Sequence, residues 1–202
     1  ALGLATPIAL MVGSGMGARR GILIRKGEAI QTMKEIKTII FDKTGTITKG
    51  KPEVTDIYIR KGLTAAYLLD IAASMEKLSE HPIAGAIVKK ANLKKYRKVT
   101  KFLIARGKGI EGLIGSKKII IGNRTLMKEK KIKISQFEET IAGFENDGKT
   151  TMIVTENKKV LGVIAVADAV KEDSAEAIAA LNKAGYKTVM ITGDNERTAL
   201  AI

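Results

Sequence analysis

The sequence predicts an α/β domain that is interrupted by an inserted α+β domain with an antiparallel sheet. Apolar strands alternate with helical segments in the two flanks, residues 19–51 and 166–202, whereas residues 52–165 have a more antiparallel character with short turns. The 202 residues are enough for one or two compact domains. Residues 1–18 carry no charge and precede a basic pair, which predicts the end of a transmembrane helix that would begin before Ala1. A buried helix of a water-soluble domain is the alternative for this segment.

The periodicity of apolar residues and the turn signals place the elements in chain order. Helices are predicted at 27–36, 64–77, 82–93 and 172–184, and strands at 37–41, 53–60, 99–105, 151–155, 160–167 and 187–191. A hairpin is predicted around Gly115 and Ser116, and a linker at 49–52. Asn123 and Ser135 are predicted to cap two further helices. Residues 193–195 are predicted to form a loop that leads into a final helix.

Composition excludes several classes of function. Lys and Arg exceed Asp and Glu by 35 to 21, which gives a net charge of +14 and favours an anionic partner or a solvated basic surface. The lysines are scattered and are not interleaved with aromatic residues, so we expect no nucleic-acid partner. The chain has no cysteine, which excludes disulfides and thiolate metal sites within it, and His81 is its single histidine.

The stretch TIIFDKTGTITKG, residues 38–50, carries the clearest chemical signal. Asp42 ends an apolar strand, at the edge where open α/β sheets bind ligands. Gly45 permits a tight turn that brings backbone groups close to a phosphate, while Lys43, Thr44 and Thr46 supply a positive charge and hydroxyl groups. A carboxylate here can accept a phosphoryl group if Mg²⁺ and a lysine neutralise charge. A simple polar turn after a strand is the alternative.

The seven residues DKTGTIT resemble the phosphorylation motif of P-type ATPases, the ion pumps that form an aspartyl-phosphate. This resemblance implies that Asp42 is phosphorylated with Lys43 beside it. It also implies that the Asp42 carboxylate and the Thr44 carbonyl bind Mg²⁺. The implied phosphorylation domain is haloacid-dehalogenase-like, with a Rossmann-like topology, and is incomplete in residues 19–51 and 166–202. Residues 52–165 would be the nucleotide-binding domain.

Later segments agree with this resemblance. ITGDNERTA resembles the family's TGD motif, which implies that Thr192 contacts the transferred phosphoryl group and that Gly193 and Asp194 shape the site. VADAVKED resembles the hinge that returns to the phosphorylation domain and contains Asp168. Lys171-Glu172 stands where many relatives have Lys-Pro.

Four short motifs resemble the nucleotide site of the heavy-metal branch of this family. SEHPIAGAI contains His81, which the resemblance places at the adenine of ATP, and Glu76 lies where the branch carries a nucleotide-contacting glutamate. GKGIEG fails as a dinucleotide fingerprint because strands follow it. It resembles the branch's GxGI motif instead, and a Gly-Asn pair follows. The implied nucleotide-binding residues of these two motifs are Gly107, Gly109, Ile110, Gly122 and Asn123.

The first ten residues, ALGLATPIAL, resemble the segment that follows the Cys-Pro-Cys motif of copper(I) pumps, whereas zinc and cadmium pumps usually differ here. The ligands of the transported Cu(I) would then precede Ala1, and silver pumps would look the same. For the parent protein the resemblance implies ATP and Mg²⁺ as cofactors and a multi-pass membrane location with cytoplasmic catalytic domains. It also implies contact with lipid and makes a copper chaperone a candidate partner.

Three alternatives remain open from the sequence. The chain by itself could be an ATP-binding module without turnover, because the family's GDGxND-type segment and actuator domain are not in it. The parent could pump silver, zinc or cadmium. A soluble phosphatase of the haloacid-dehalogenase-like fold is the third alternative, but such enzymes commonly carry a second aspartate two residues after the nucleophile, where this chain has Thr44.

Overall fold

The structure is a computed structural model that describes residues 2–201. Its helices are α1 (Leu2–Ala18), α2 (Gly27–Thr32), α3 (Ala65–Glu76), α4 (Pro82–Ala91), α5 (Arg124–Glu129), α6 (Glu138–Asn146), α7 (Ser174–Lys183) and α8 (Glu196–Leu200). Its strands are β1 (Thr38–Asp42), β2 (Glu53–Ile59), β3 (Val99–Ala105), β4 (Gly109–Ile114), β5 (Lys117–Gly122), β6 (Thr150–Glu156), β7 (Lys159–Ala167) and β8 (Lys187–Ile191). Short 3₁₀ helices occupy Met33–Glu35 and Ser135–Phe137.

The chain divides into two compact units. One contains the residues up to Phe41 together with Ala175–Val189, and the other contains Asp42–Ser174 together with the residues from Met190 onward. In the first unit, Gly27 lies against the side chain of Leu10, which brings the start of α2 close to α1. No helix in residues 2–201 combines the length and the apolar character needed to cross a membrane. The assignment of residues 1–18 to a transmembrane helix, like the domain boundaries, stays a prediction.

Strands β1 and β8 pair in a two-stranded sheet. The backbone N–H of Lys187, the first residue of β8, donates at 2.8 Å to the carbonyl of Lys37, which directly precedes β1. The prediction of strands at 37–41 and 187–191 is therefore confirmed to within one residue.

The second unit contains a sheet with the strand order β2-β7-β6-β5-β4-β3, in which every recorded pair is antiparallel. The predicted hairpin is present, with Ile114 opposite Lys117 next to the turn. The mixed α/β class with an antiparallel sheet in the middle of the chain is confirmed.

Both faces of this sheet are covered. On one face Ile119 and Ile121 of β5 pack with α3 and α4, whereas Ile120, between them, packs with α5 and α6 on the other face. Successive side chains of a strand point to opposite faces, so a strand buried on both sides needs a continuous apolar run. The run Ile119–Ile121 meets that need.

Capping residues set the start of several helices in this unit. The side chains of Thr64 and Asn123 accept hydrogen bonds from the amides of Tyr67 and Leu126, as N-cap residues do. The prediction that Ser135 caps a helix is wrong. Ser135 begins a 3₁₀ turn, its side chain makes no cap, and α6 begins only at Glu138. A short 3₁₀ turn commonly precedes an α-helix, and here it moves the helix start by two residues, from 136 to Glu138.

Candidate functional site

The loop after β1 holds the predicted phosphorylation residue. Asp42 is the last residue of β1, and its side chain is exposed, as is that of Thr44. Gly45 has φ +77°, a conformation that favours glycine, and it turns the chain sharply. The hydroxyl of Thr48 accepts a hydrogen bond from the amide of Gly45 at 3.2 Å, and the backbone amide of Thr48 donates to the carbonyl of Lys43 at 3.0 Å. The loop thus holds Asp42 at an open position on a rigid turn.

A buried ion pair lies beside this loop. The Lys43 ammonium group contacts the Asp194 carboxylate, and both side chains are almost fully buried. Thr192 and Thr150 donate further hydrogen bonds to Asp194, at 3.1 and 2.8 Å. Gly193 lies between Thr192 and Asp194, is exposed, and has open space where a Cβ would lie. The structure therefore joins the DKTG and TGD segments through Lys43 and Asp194.

The Asp194 carboxylate stays ionised because of these contacts. Burial alone would raise its pKa, but the hydrogen bonds from Lys43, Thr150 and Thr192 and the Lys43 charge outweigh burial and hold the pKa of Asp194 below its usual value. A fixed anion at this place keeps the Lys43 ammonium group in position. Thr150, the first residue of β6, was not among the predicted site residues, and its sequence neighbourhood gave no signal for this contact.

Asp168 joins the two chain segments that lead into and out of the sheet unit. Its carboxylate accepts hydrogen bonds from the Thr48 hydroxyl at 2.6 Å and from the amides of Gly50 and Lys51 at 3.1 and 3.0 Å. The amide of Lys49 also donates to the carbonyl of Ala169 at 2.8 Å. The segment after the phosphorylation loop is thereby tied to the returning segment.

The GxG and Gly-Asn motifs meet at one end of the β4–β5 hairpin. Gly109 is directly opposite Gly122, and a Cβ on either residue would lie 2.0 to 2.2 Å from a backbone oxygen. The Asn123 side chain donates to the carbonyl of Gly107 at 3.1 Å, and its backbone amide donates to that of Lys108 at 2.8 Å. Gly109 and Gly122 thus let the two strands approach each other.

Gly107 and Ile110 differ from these two glycines in their surroundings. Gly107 has φ +69° and open space where a Cβ would lie, so its backbone is the part of the motif that a ligand can approach. Ile110 is buried in the core under α3 and α4, where it anchors the start of β4.

Glu76 and His81 lie on either side of the α3–α4 connection. Glu76 is only 3% exposed, and no group in residues 2–201 hydrogen-bonds to its carboxyl. Burial raises the pKa of Glu76 to about 7. His81 is exposed and caps α4, because its Nδ1 accepts from the amide of Ile83 at 3.2 Å. In a neutral ring this bond places the proton on Nε2, so His81 presents an N–H donor to solvent.

An ion network connects the Gly-Asn segment with the TGD segment. Arg124, next to Asn123, forms a bidentate pair with the buried carboxylate of Glu145, with distances of 2.8 and 3.1 Å. Arg197 of α8 lies 3.7 Å from the same carboxylate, and the Thr198 hydroxyl donates to the carbonyl of Lys149 at 3.0 Å. Sequence reasoning missed Glu145, because only its tertiary contacts distinguish it from other helical glutamates.

The predicted Mg²⁺ ligands, Asp42 and Thr44, suit a metal site to which substrate phosphates and water would add the remaining oxygen ligands. Within the described residues no three His, Cys, Asp or Glu side chains gather into a metal site. The loop instead offers the exposed Asp42 carboxylate together with the carbonyl of Thr44, and both are hard oxygen donors. Mg²⁺ is commonly bound by one or two carboxylates with substrate phosphates and water, so this donor set suits it.

Curated relatives match the chain over its whole length. A copper-exporting P-type ATPase of Staphylococcus saprophyticus is 47% identical over 204 aligned residues, which cover 100% of this chain and 25% of the relative. A probable copper-importing P-type ATPase A of Enterococcus hirae is 43% identical and is covered to 27%. The chain thus spans about a quarter of the length of these relatives. The resemblance to copper-transporting P-type ATPases is confirmed.

Solved structures of related ATPases also match the chain. A zinc-transporting PIB-type ATPase in an E2·Pi state is 37% identical, with a TM-score of 0.65 over 97% of this chain and 32% of that one. The catalytic domain of a CPx-ATPase, CopB-B, is 28% identical, with a TM-score of 0.64 over 93% of this chain and 64% of that one. The family model described as a haloacid dehalogenase-like hydrolase matches residues 36–202. The chain belongs to the haloacid dehalogenase-like hydrolase family.

Proposed function

We propose that this chain is the nucleotide-binding and phosphorylating part of an ATP-driven Cu(I) pump, in which Asp42 accepts the γ-phosphoryl group of ATP. The observation that carries the proposal is the exposed Asp42 carboxylate next to the buried Lys43–Asp194 ion pair. A carboxylate nucleophile must be open to its substrate, whereas the cation that stabilises the reacting phosphate must be held in place. The loop 42–48 meets both requirements.

The proposed step is an in-line transfer. An oxygen of Asp42 forms a bond to the γ-phosphorus while the bond to the β–γ bridging oxygen breaks, and ADP leaves with that electron pair. Lys43 supplies positive charge beside the reacting group, and Thr192 offers a hydroxyl from the neighbouring loop. When bound at Asp42 and the Thr44 carbonyl, Mg²⁺ would neutralise charge on the phosphates.

ATP would bind at the glycine end of the β4–β5 hairpin and the α3–α4 connection. The backbone at Gly107 is open to a ligand, and Asn123 fixes the turn in which Gly107 lies. Glu76 is a buried carboxyl to which no group in the described residues donates a hydrogen bond, as expected of a group that a ligand completes. His81 presents its Nε2–H group to the same ligand. Recognition of adenine by Glu76 and His81 rests on the family resemblance.

Copper(I) is the proposed cargo because the named relatives are copper-transporting ATPases over the full length of this chain. The chain contains no cysteine, so soft thiolate ligands for Cu(I) would come from elsewhere in the complete protein. A membrane location, cytoplasmic catalytic domains and a copper chaperone as partner are proposals for that complete protein.

The test is phosphoenzyme formation by the complete protein in lipid. Membranes receive γ-labelled ATP and Mg²⁺ with Cu(I), Ag(I), Zn²⁺ or no metal, and acid-stable label on the protein is counted. We expect label with Cu(I) or Ag(I) in the wild type and in Asp173→Asn, which removes an exposed carboxylate nearby, and none in Asp42→Asn. Label that responds to Zn²⁺ alone would overturn the copper assignment. Label that persists in Asp42→Asn would overturn the nucleophile.

A second candidate for the isolated 202-residue chain is ATP binding without turnover. It is favoured because the glycine cluster and its supporting helices all lie in Asp42–Ser174, within one compact unit. We expect ATP to bind the chain, and His81→Asn to weaken binding, because asparagine keeps the cap of α4 but lacks the Nε2–H donor. Thr64→Ala removes a cap on α3 and should leave ATP affinity unchanged. Hydrolysis of a simple phosphate ester by the isolated chain would instead favour the phosphatase alternative.

A further inference from the structure

The end of the β4–β5 hairpin opposite to the glycine cluster carries a second group of charged residues. Gly109 and Gly122 pair at one end, and Ile114 and Lys117 pair at the other. Five residue steps separate the two ends, and at about 3.3 Å per residue in a strand the distance is about 17 Å. Anything bound at the Lys117 end is therefore outside the proposed nucleotide site.

Two adjoining depressions lie at this end of the sheet, with volumes of about 710 and 530 Å³. They share Lys117, which lines both. Both depressions are open to solvent, so a ligand there would be held by surface charges rather than enclosed. The basic side chains that line them are Arg60, Lys61, Lys95, Arg97, Lys98, Lys117 and Lys159.

The charge of the depressions is strongly unbalanced. Seven basic side chains face only two carboxylates, Asp70 and Glu156, an excess of five positive charges. Asp70 pairs with Arg97 at 2.6 Å, and Glu156 pairs with Lys117 at 3.0 Å. In the part of the chain that the structure describes, no carboxylate lies within 4.0 Å of the other five basic groups. Those five charges are available to an anion.

The central cations are held in place by an aromatic ring. Arg97 and Lys117 lie over the Tyr67 ring at 5.7 and 5.9 Å from its centroid. The Tyr67 hydroxyl in turn donates to Glu156 at 2.7 Å. The cation–π contacts and the two ion pairs thus hold Arg97 and Lys117 in place between the depressions. The five basic side chains without a carboxylate partner can orient towards a ligand.

We propose that this end of the domain binds a small polyphosphate anion across the two depressions. Two open depressions that carry separate groups of cations suit phosphate groups joined in a short chain, because each phosphate can meet its own cluster of cations. A membrane surface is a poorer match, since the apolar lining residues Ile71, Leu161 and Ile114 are buried and only Leu63 is half-buried, which leaves little apolar surface for insertion. The site differs from the nucleotide site in position.

Isothermal titration calorimetry of the 202-residue chain with inorganic tripolyphosphate tests this proposal. The variant pairs Lys95→Ala/Lys98→Ala and Lys61→Ala/Lys159→Ala each remove two charges from one depression. The control pair Lys128→Ala/Lys133→Ala removes two exposed charges elsewhere. We expect each site pair to lower the affinity at least about tenfold, which corresponds to about 1.4 kcal/mol, and the control pair to change it less than about twofold.

The salt dependence and a second anion complete the test. Each site pair should also reduce the slope of log affinity against log salt concentration, because fewer cations meet the phosphates. His81→Asn, which alters the proposed nucleotide site, should leave tripolyphosphate affinity unchanged. An equal loss in the control pair would reduce the effect to overall charge and overturn the proposal. Binding to phosphatidylserine vesicles through the same lysines, without tripolyphosphate binding, would overturn it in favour of a lipid surface.

Discussion

Glu76 gives the sharpest test of the site geometry. Its carboxyl is buried without a hydrogen-bond partner in the described residues, and burial raises its pKa from 4.5 to about 7. Between these two values the folded state keeps a proton that the unfolded state has lost. The free energy of unfolding therefore falls as the pH rises from 4.5 towards 7, and it levels off above 7. Below 4.5 the group is protonated in both states and contributes no pH dependence.

The magnitude follows from the size of the shift. One pKa unit corresponds to about 1.4 kcal/mol, so a shift from 4.5 to about 7 corresponds to about 3 kcal/mol of lost stability at pH 8. Glu76→Gln removes the ionisation but keeps the shape of the side chain. We expect the variant to match the wild type at pH 4.5 and to be more stable by about 3 kcal/mol at pH 8.

Urea unfolding at pH 4.5 and pH 8, followed by circular dichroism, measures this difference. Glu80→Gln, which removes an exposed carboxylate from the α3–α4 connection, controls for the change in net charge. A stability gain for Glu76→Gln that is the same at both pH values would refute the burial argument. A loss of stability at pH 8 would mean that the folded protein stabilises the ionised carboxylate.

Three further perturbations probe the packing around the site. Gly122→Ala should destabilise the chain by about 1–3 kcal/mol in urea unfolding, because the new Cβ would lie 2.2 Å from a backbone oxygen. Gly143→Ala, in open space on α6, should stabilise the chain by about 0.5–1 kcal/mol. Equal effects of the two substitutions would contradict the close approach of the strands at Gly122. Glu145→Gln should cost about 1–2 kcal/mol, because Arg124 loses its buried anionic partner but keeps Glu138 and some contact with solvent, and an unchanged urea midpoint would show that the pair contributes nothing. Asp168→Asn should speed hydrogen exchange at the amide of Gly50, which donates to that carboxylate, and protection equal to that of the wild type would argue against the tie between the linkers.

Local patterns account for most of the elements. The apolar runs that end at Asp42 and Ile191 predicted strands at positions confirmed by the structure, and Asn123 was correctly predicted as a cap. These features depend on strand periodicity and on side chains that bond to their own backbone, so neighbouring residues are sufficient to specify them. The start of α6 was missed because a 3₁₀ turn and an α-helix share nearly the same local signals.

Some properties of the candidate site also follow from the local sequence, whereas others depend on tertiary contacts. The sequence by itself determined which residue types stand in DKTGTIT, the TGD loop and the GxG and Gly-Asn motifs, and these residues carry the family resemblance. Only the tertiary structure decided that Lys43 pairs with Asp194, that Glu76 is buried, and that lysines distant in sequence gather at the Lys117 end of the hairpin. Burial, pKa and charge density depend on atoms brought together from remote parts of the chain, so the packing of the sheet and its helices determines them.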